Sequence, residues 1–138
     1  MSEVKTVLSL DQLCAKYGQE IAEKVSQADK FDAKKAEVLI TKALSVLQDQ
    51  GLYSFVLFCE SRPSRERTGA EEIKNLSKKL LRELDLINDG DFLEELRRDN
   101  GLLTKLDDLM LAIQVLEKSL IYSRFHAKAI KESQGESP

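Results

Sequence analysis

The feature that most constrains this chain is a spacing. From residue 9 to residue 131, large apolar side chains recur every three or four positions, and only two prolines and six glycines interrupt the 138 residues. An α-helix turns once per 3.6 residues, so this spacing gathers apolar groups on one side of a helix. A half-buried strand would need strict alternation instead. Leucine, lysine and glutamate recur throughout, and all three form helices readily.

Ser9 opens the first segment, with Gln12 three residues later in the arrangement of a capping box. Leu10, Leu13, Cys14, Tyr17, Ile21 and Val25 then share one face, while Lys16, Glu20, Glu23 and Lys24 take the other. Gly18 weakens this helix by about 1 kcal/mol relative to alanine without ending it. Residues 1–8 are expected to be a flexible N-terminus. In the second segment Asp32 is the expected N-cap, and Leu39, Ile40, Ala43, Leu44 and Leu47 form the apolar face. Gly51 either stops this helix or starts the next.

The stretch LYSFVLFCES is aromatic and β-branched, which favours a strand by local propensity. It does not alternate, however, and no second strand candidate exists to pair with it. A lone strand leaves its backbone donors and acceptors unpaired, so a helix is predicted. Next comes CESRPSRERTGAEE, read as a connector marked by proline and glycine and ending at Thr68. Thr68 and Glu71 form a second capping box, followed by Ile73, Leu76, Leu80, Leu81 and Leu84 at helical spacing. Asn88 to Asp91 reads as a turn, with Asp91 and Glu94 opening a short helix that Asn100-Gly101 ends. The last helix is expected from Leu102 to Lys131, roughly 40 Å long, with Leu103, Leu106, Met110, Ile113, Leu116 and Leu120 in phase. Residues 132–138 are expected to be a disordered tail.

These segments predict an all-α fold: a single-domain bundle of five or six helices spanning residues 9–131, with a long C-terminal helix. The apolar stripes must cover one another, because each large apolar side chain left in water forfeits about 1.5–3 kcal/mol.

Charge and reactive groups narrow the function. Acidic residues number 24 and basic residues 21, a net charge of −3. This excludes a wholly basic surface but leaves room for a basic strip. Cys14 and Cys59 have no metal-type spacing and sit in apolar sequence, as expected of buried thiols in a reducing cytosol. No apolar run approaches the ~20 residues a membrane helix needs, so the expected location is cytoplasmic. His126 is the only histidine. Phosphotransfer bundles carry their histidine in a His-x-x-Lys-Gly context, and the residues after His126 do not match it. A calcium loop with Gly90 at its sixth position would put Ile87 and Leu96 where oxygen ligands are required. Neighbouring carboxylates such as Asp107-Asp108 and Glu94-Glu95 diverge by ~100° on a helix and cannot share a site. The sequence therefore predicts neither catalytic residues, nor a metal site, nor a cofactor.

What remains is interaction chemistry. Arg62, Arg65 and Arg67 crowd the connector, partly offset by Glu60 and Glu66. Near the C-terminus, Arg124 and Lys128 stand one turn apart on one face with Lys131 beside them. Arg62, Arg65, Arg67, Arg124 and Lys128 are the candidate phosphate contacts.

The text VLITKALSVLQDQGLYSFVLFCES, a helix, a Gly-Leu and an apolar helix, resembles the central motif of the small helical subunit of type III-B CRISPR effector complexes. The later LLRELDLINDGDFLEELRRDNGLLTKLDDLMLAIQVLEKSLIYSRFHAKAI is similar too, with a short helix followed by a long leucine-rich one ending in basic-aromatic-alanine text. The likeness covers most of residues 13–130. It implies a noncatalytic subunit of a crRNA-guided ribonucleoprotein serving antiviral defence. Such subunits stack on copies of themselves beside the other subunits and offer a basic groove to the target RNA. Phosphate contacts of this kind position the strand, while guide pairing reads its sequence. The alternative from another class is a helical adaptor or regulatory protein that binds a protein partner and no nucleic acid. An enzyme reading comes third.

Overall fold

The computed structural model describes the backbone of residues 2–28 and 33–135, and the side chains of residues 10–28 and 34–133. Six α-helices are present among the described residues: α1 (Ser2–Ser26), α2 (Ala33–Gln50), α3 (Leu52–Glu60), α4 (Ser64–Glu83), α5 (Phe92–Arg97) and α6 (Leu106–Gly135). A single 3₁₀ turn, Leu102–Thr104, precedes α6. The fold is an all-α single domain with a long C-terminal helix, as the spacing predicts.

Helices α1 and α6 run parallel. The Cys14 thiol lies 3.5 Å from the carbonyl of Val115, and Gly18 faces Ser119 and Tyr122 further along. Helix α2 runs against both, and Lys131 near the end of α6 reaches Glu37 near the start of α2 at 3.2 Å. Helix α4 closes the core from another side, where Tyr17 donates to Glu83 at 2.8 Å. Ile21, Leu39, Ile40, Leu47, Phe55, Ile73, Leu80, Leu81 and Leu116 are the large side chains sealed at the centre.

Four boundaries differ from the sequence reading. Helix α1 begins at Ser2, so Ser9 lies within it rather than at its start. Val4 and Val7 continue the helical spacing backwards from Leu10, and no breaker separates them. The connector is short as well. Only Ser61, Arg62 and Pro63 separate α3 from α4, and Thr68 is an interior helical residue. Pro63 takes the N-cap position with extended backbone, and its carbonyl accepts from the Glu66 amide at 2.9 Å. Proline is tolerated there because the first helical amides have no partner within the helix. Helix α6 starts at Leu106 and continues to Gly135, so residues 132–135 extend the helix rather than belonging to a tail. The proposed Asp32 cap and residues 136–138 lie outside the described residues.

Other expectations hold locally. LYSFVLFCE is the helix α3. Gly51 adopts φ 93°, a left-handed value costly for other residues, and so lets α2 stop and α3 start with no further linker. Asp91 caps α5 by accepting from the Glu94 amide at 3.1 Å. Glu95 folds back to accept from the Asn88 amide at 2.8 Å. A Cβ on Gly90 would meet the Glu95 carboxylate at 2.6 Å, so glycine makes room for this closure.

The largest departure is the face that α6 buries. Leu103, Leu106 and Met110 are 38%, 69% and 51% exposed. The buried side of α6 consists of Ala112, Val115, Leu116, Ser119, Leu120, Ser123 and Ala127. The large apolar residues from Leu103 to Leu120 follow a 3.5-residue repeat, which drifts about 20° per heptad against a straight helix. Small residues share that side with Val115, Leu116 and Leu120 and admit α1 closely: a Cβ on Gly18 would come within 2.6 Å of the Tyr122 Cβ and 2.8 Å of the Ser119 carbonyl.

Candidate nucleic-acid interface

The five candidate cations fall into three environments. Arg62 is engaged within the fold. Its guanidinium stacks over the Phe58 ring at 4.2 Å and pairs with Glu66 at 3.3 Å. Glu66 also holds Lys42 of α2 at 3.4 Å, so one carboxylate ties the start of α4 to both α2 and the turn. This arginine braces a helix start rather than offering its charge to solvent.

Arg65 and Arg67 occupy the first two turns of α4, exposed and without a carboxylate partner among the described residues. Two residues apart on a helix, they point about 160° away from each other. They therefore flank the buried stripe of α4 on opposite sides and present no common surface.

Arg124 and Lys128 are exposed on α6 and likewise unpaired among the described residues. One turn apart, they share a face. Their basic neighbours are neutralised: Lys118 pairs with Asp11 at 2.7 Å and Lys131 with Glu37 at 3.2 Å. Glu117, two turns earlier, lies on the same face as Arg124.

Helix α6 reaches α2 at Glu37, and α4 reaches it at Lys42. Five helical residues separate these contacts, or about 140° around α2. Because Arg62 is engaged with Phe58 and Glu66 and Arg65 and Arg67 point apart around α4, the five candidate residues do not line one common face.

A cluster that the sequence does not announce fastens α1 to α6. Asp11 accepts from Tyr122 and pairs with Lys118 through the same oxygen, both at 2.7 Å. These contacts hold the Asp11 carboxyl below its usual range and raise both Lys118 and Tyr122. The only advance signal is indirect: Ser119, Ser123 and Ala127 at four-residue spacing mark a close-packed face.

Reactive groups are placed as follows. Burial raises the Cys14 thiol and pushes Cys59 up to about 12, which leaves both protonated and poor nucleophiles at neutral pH. His126 is exposed in a shallow groove with Gln19, Glu23 and Ile130. Among the described residues no group of three or more His, Cys, Asp or Glu side chains could hold a metal ion. No described helix is long and apolar enough to cross a membrane.

Comparison with known proteins finds no matching family model, and neither a curated protein nor a solved structure is significantly similar to the chain.

Proposed function

We propose that this chain is a noncatalytic helical subunit that contacts an RNA backbone within a larger ribonucleoprotein, as its resemblance to the small subunits of type III CRISPR complexes implies. The observation carrying this reading is the pair Arg124 and Lys128. They are exposed, unpaired and one turn apart on the longest helix of a chain whose charge is net negative. Cations held ready in this way suit phosphates, which any nucleotide sequence presents alike. The footprint is small. Arg62 is withdrawn from it, and Arg65 and Arg67 contribute only if the strand, or a second strand, also passes the start of α4. A contact of this size binds a free strand weakly and only at low salt, and companions that hold the strand would strengthen it.

Photo-crosslinking tests the reading. Single-stranded RNA carrying 4-thiouridine is irradiated with the chain at low salt, and the crosslinked peptides are identified by mass spectrometry. Crosslinks confined to peptides around Arg124 and Lys128 are expected. Crosslinks spread evenly over the surface, or none, contradict it.

A second reading, a protein-binding adaptor, is favoured by a different observation. Leu106, Met110 and Phe125 are 69%, 51% and 62% exposed on the same helix, and large apolar groups left wet in this way mark contact surfaces when they align.

A further inference from the structure

We propose that Asn100-Gly101 is a latent self-modification site: the fold keeps the Asn100 side chain an amide, and opening of the corner between α5 and α6 converts it irreversibly to an acid. The corner is the stretch that leaves α5 at Arg97 and enters the 3₁₀ turn at Leu102. The reaction needs only water and a solvent base, and it is independent of the RNA reading.

The chemistry belongs to the sequence. The Gly101 backbone nitrogen gives its proton to a solvent base and attacks the side-chain carbonyl carbon of Asn100. A carbon–nitrogen bond forms, the bond from that carbon to the side-chain nitrogen breaks, and ammonia leaves with a proton from water. Water then opens the resulting succinimide at either carbonyl, giving aspartate or isoaspartate. Nothing is oxidised or reduced. A following glycine favours the closure, because no side chain crowds its nitrogen and its backbone turns freely.

The fold withholds each of these conditions. The Gly101 amide donates to the Arg98 carbonyl at 2.8 Å, which occupies the proton that must leave. Gly101 is buried although Asn100 is exposed. The Gly101 carbonyl accepts from the Thr104 amide at 3.0 Å and from the Thr104 hydroxyl at 2.7 Å, so the glycine is pinned on both sides. Leu102 beside it is sealed in the core. The corner also dictates both residue types. Asn100 has φ 60°, a left-handed value that asparagine tolerates better than most side chains. A Cβ on Gly101 would meet the carbonyls of Glu95, Leu96 and Arg98, each at 2.8 Å. Packing thus calls for the reactive pair and silences it. Isoaspartate adds a carbon to the main chain where no space exists, so a converted corner no longer closes as before.

Mass spectrometry of the full chain held at neutral pH, in native buffer and in guanidinium chloride, tests the proposal by following the peptide containing Asn100 from amide to acid. Conversion is expected in the unfolded chain and at least about tenfold more slowly in the folded one, because only the open fraction reacts. Thr104→Val, at an exposed position, removes the hydroxyl contact to Gly101. It should raise the folded rate several-fold, as one lost hydrogen bond allows, and leave the unfolded rate and the circular dichroism unchanged. The converted chain, returned to native buffer, should exchange amide hydrogens faster over residues 92–104 than the unconverted one. Equal rates in the two buffers overturn the proposal, as does an unfolded chain that keeps its amide. A folded rate indifferent to Thr104→Val, or exchange unaltered by conversion, contradicts the role given to the corner.

Discussion

Gly18 carries more of the architecture than its poor helix propensity suggests. Without a Cβ, it lets the backbone of α1 approach Ser119 and Tyr122 on α6. Gly18→Ala would gain about 1 kcal/mol of helix propensity. It would also drive a methyl group into backbone atoms, and overpacking of this sort costs about 1–3 kcal/mol. The substitution is therefore expected to lower the urea midpoint of unfolding. A raised midpoint would show that the helices part without penalty. The cysteines make a second residue-scale prediction. Cys59 is 2% exposed, and burial raises its thiol to about 12. A thiol-specific reagent at neutral pH should label neither cysteine in the folded chain and both after denaturation. For Cys59 the linkage has a definite sign: a folded value above the unfolded one means a contribution present below the ordinary thiol range and lost as pH rises toward 12.

At the scale of elements, the clasp of Asp11 with Lys118 and Tyr122 joins the two parallel helices at their exposed edge. Because Lys118 and Tyr122 hold the Asp11 carboxyl below its usual range, the folded state favours the ionised form. The resulting stability is present above the ordinary carboxylate range and disappears as pH falls through the lowered value. Asp11→Asn should remove this part of the acid dependence, seen as a flatter decline of melting temperature from neutral pH into acid. An unchanged decline would mean that the clasp contributes nothing to the fold. Helices α4 and α6 also show where sequence patterns mislead. Thr68 and Glu71 have the form of a capping box, but Pro63 starts α4 five residues earlier, so Thr68 caps nothing. In α6 the eye follows Leu103, Leu106 and Met110. Contact depends instead on which residues can approach α1, and small side chains win at that surface. Neither outcome follows from periodicity, because each is settled by the neighbouring helix.

Across the whole molecule, the helical character was legible because six apolar stripes and scarce prolines leave few other ways to hide leucine. The helix LYSFVLFCE was legible for a related reason: a lone strand has no backbone partner. The arrangement of charge was not legible. Arg62, Arg65 and Arg67 are close in sequence, yet one stacks on Phe58 and the others diverge around α4. Lys118 and Lys131 are paired with Asp11 and Glu37, residues more than ninety positions away. Ion pairing of this kind depends on packing, which the order of residues alone does not display. What survives is a compact cationic pair on α6, within a stripe whose apolar members also face water.

Single-stranded RNA binding across a salt series, comparing the wild type with Arg124→Ala/Lys128→Ala, tests the central claim most directly. Two phosphate contacts on a single strand predict that log affinity falls against log salt with a slope of about −1.4. In the double variant, binding at low salt should collapse and the slope should approach zero. Equal affinity and equal slope in both proteins would contradict an RNA contact through α6.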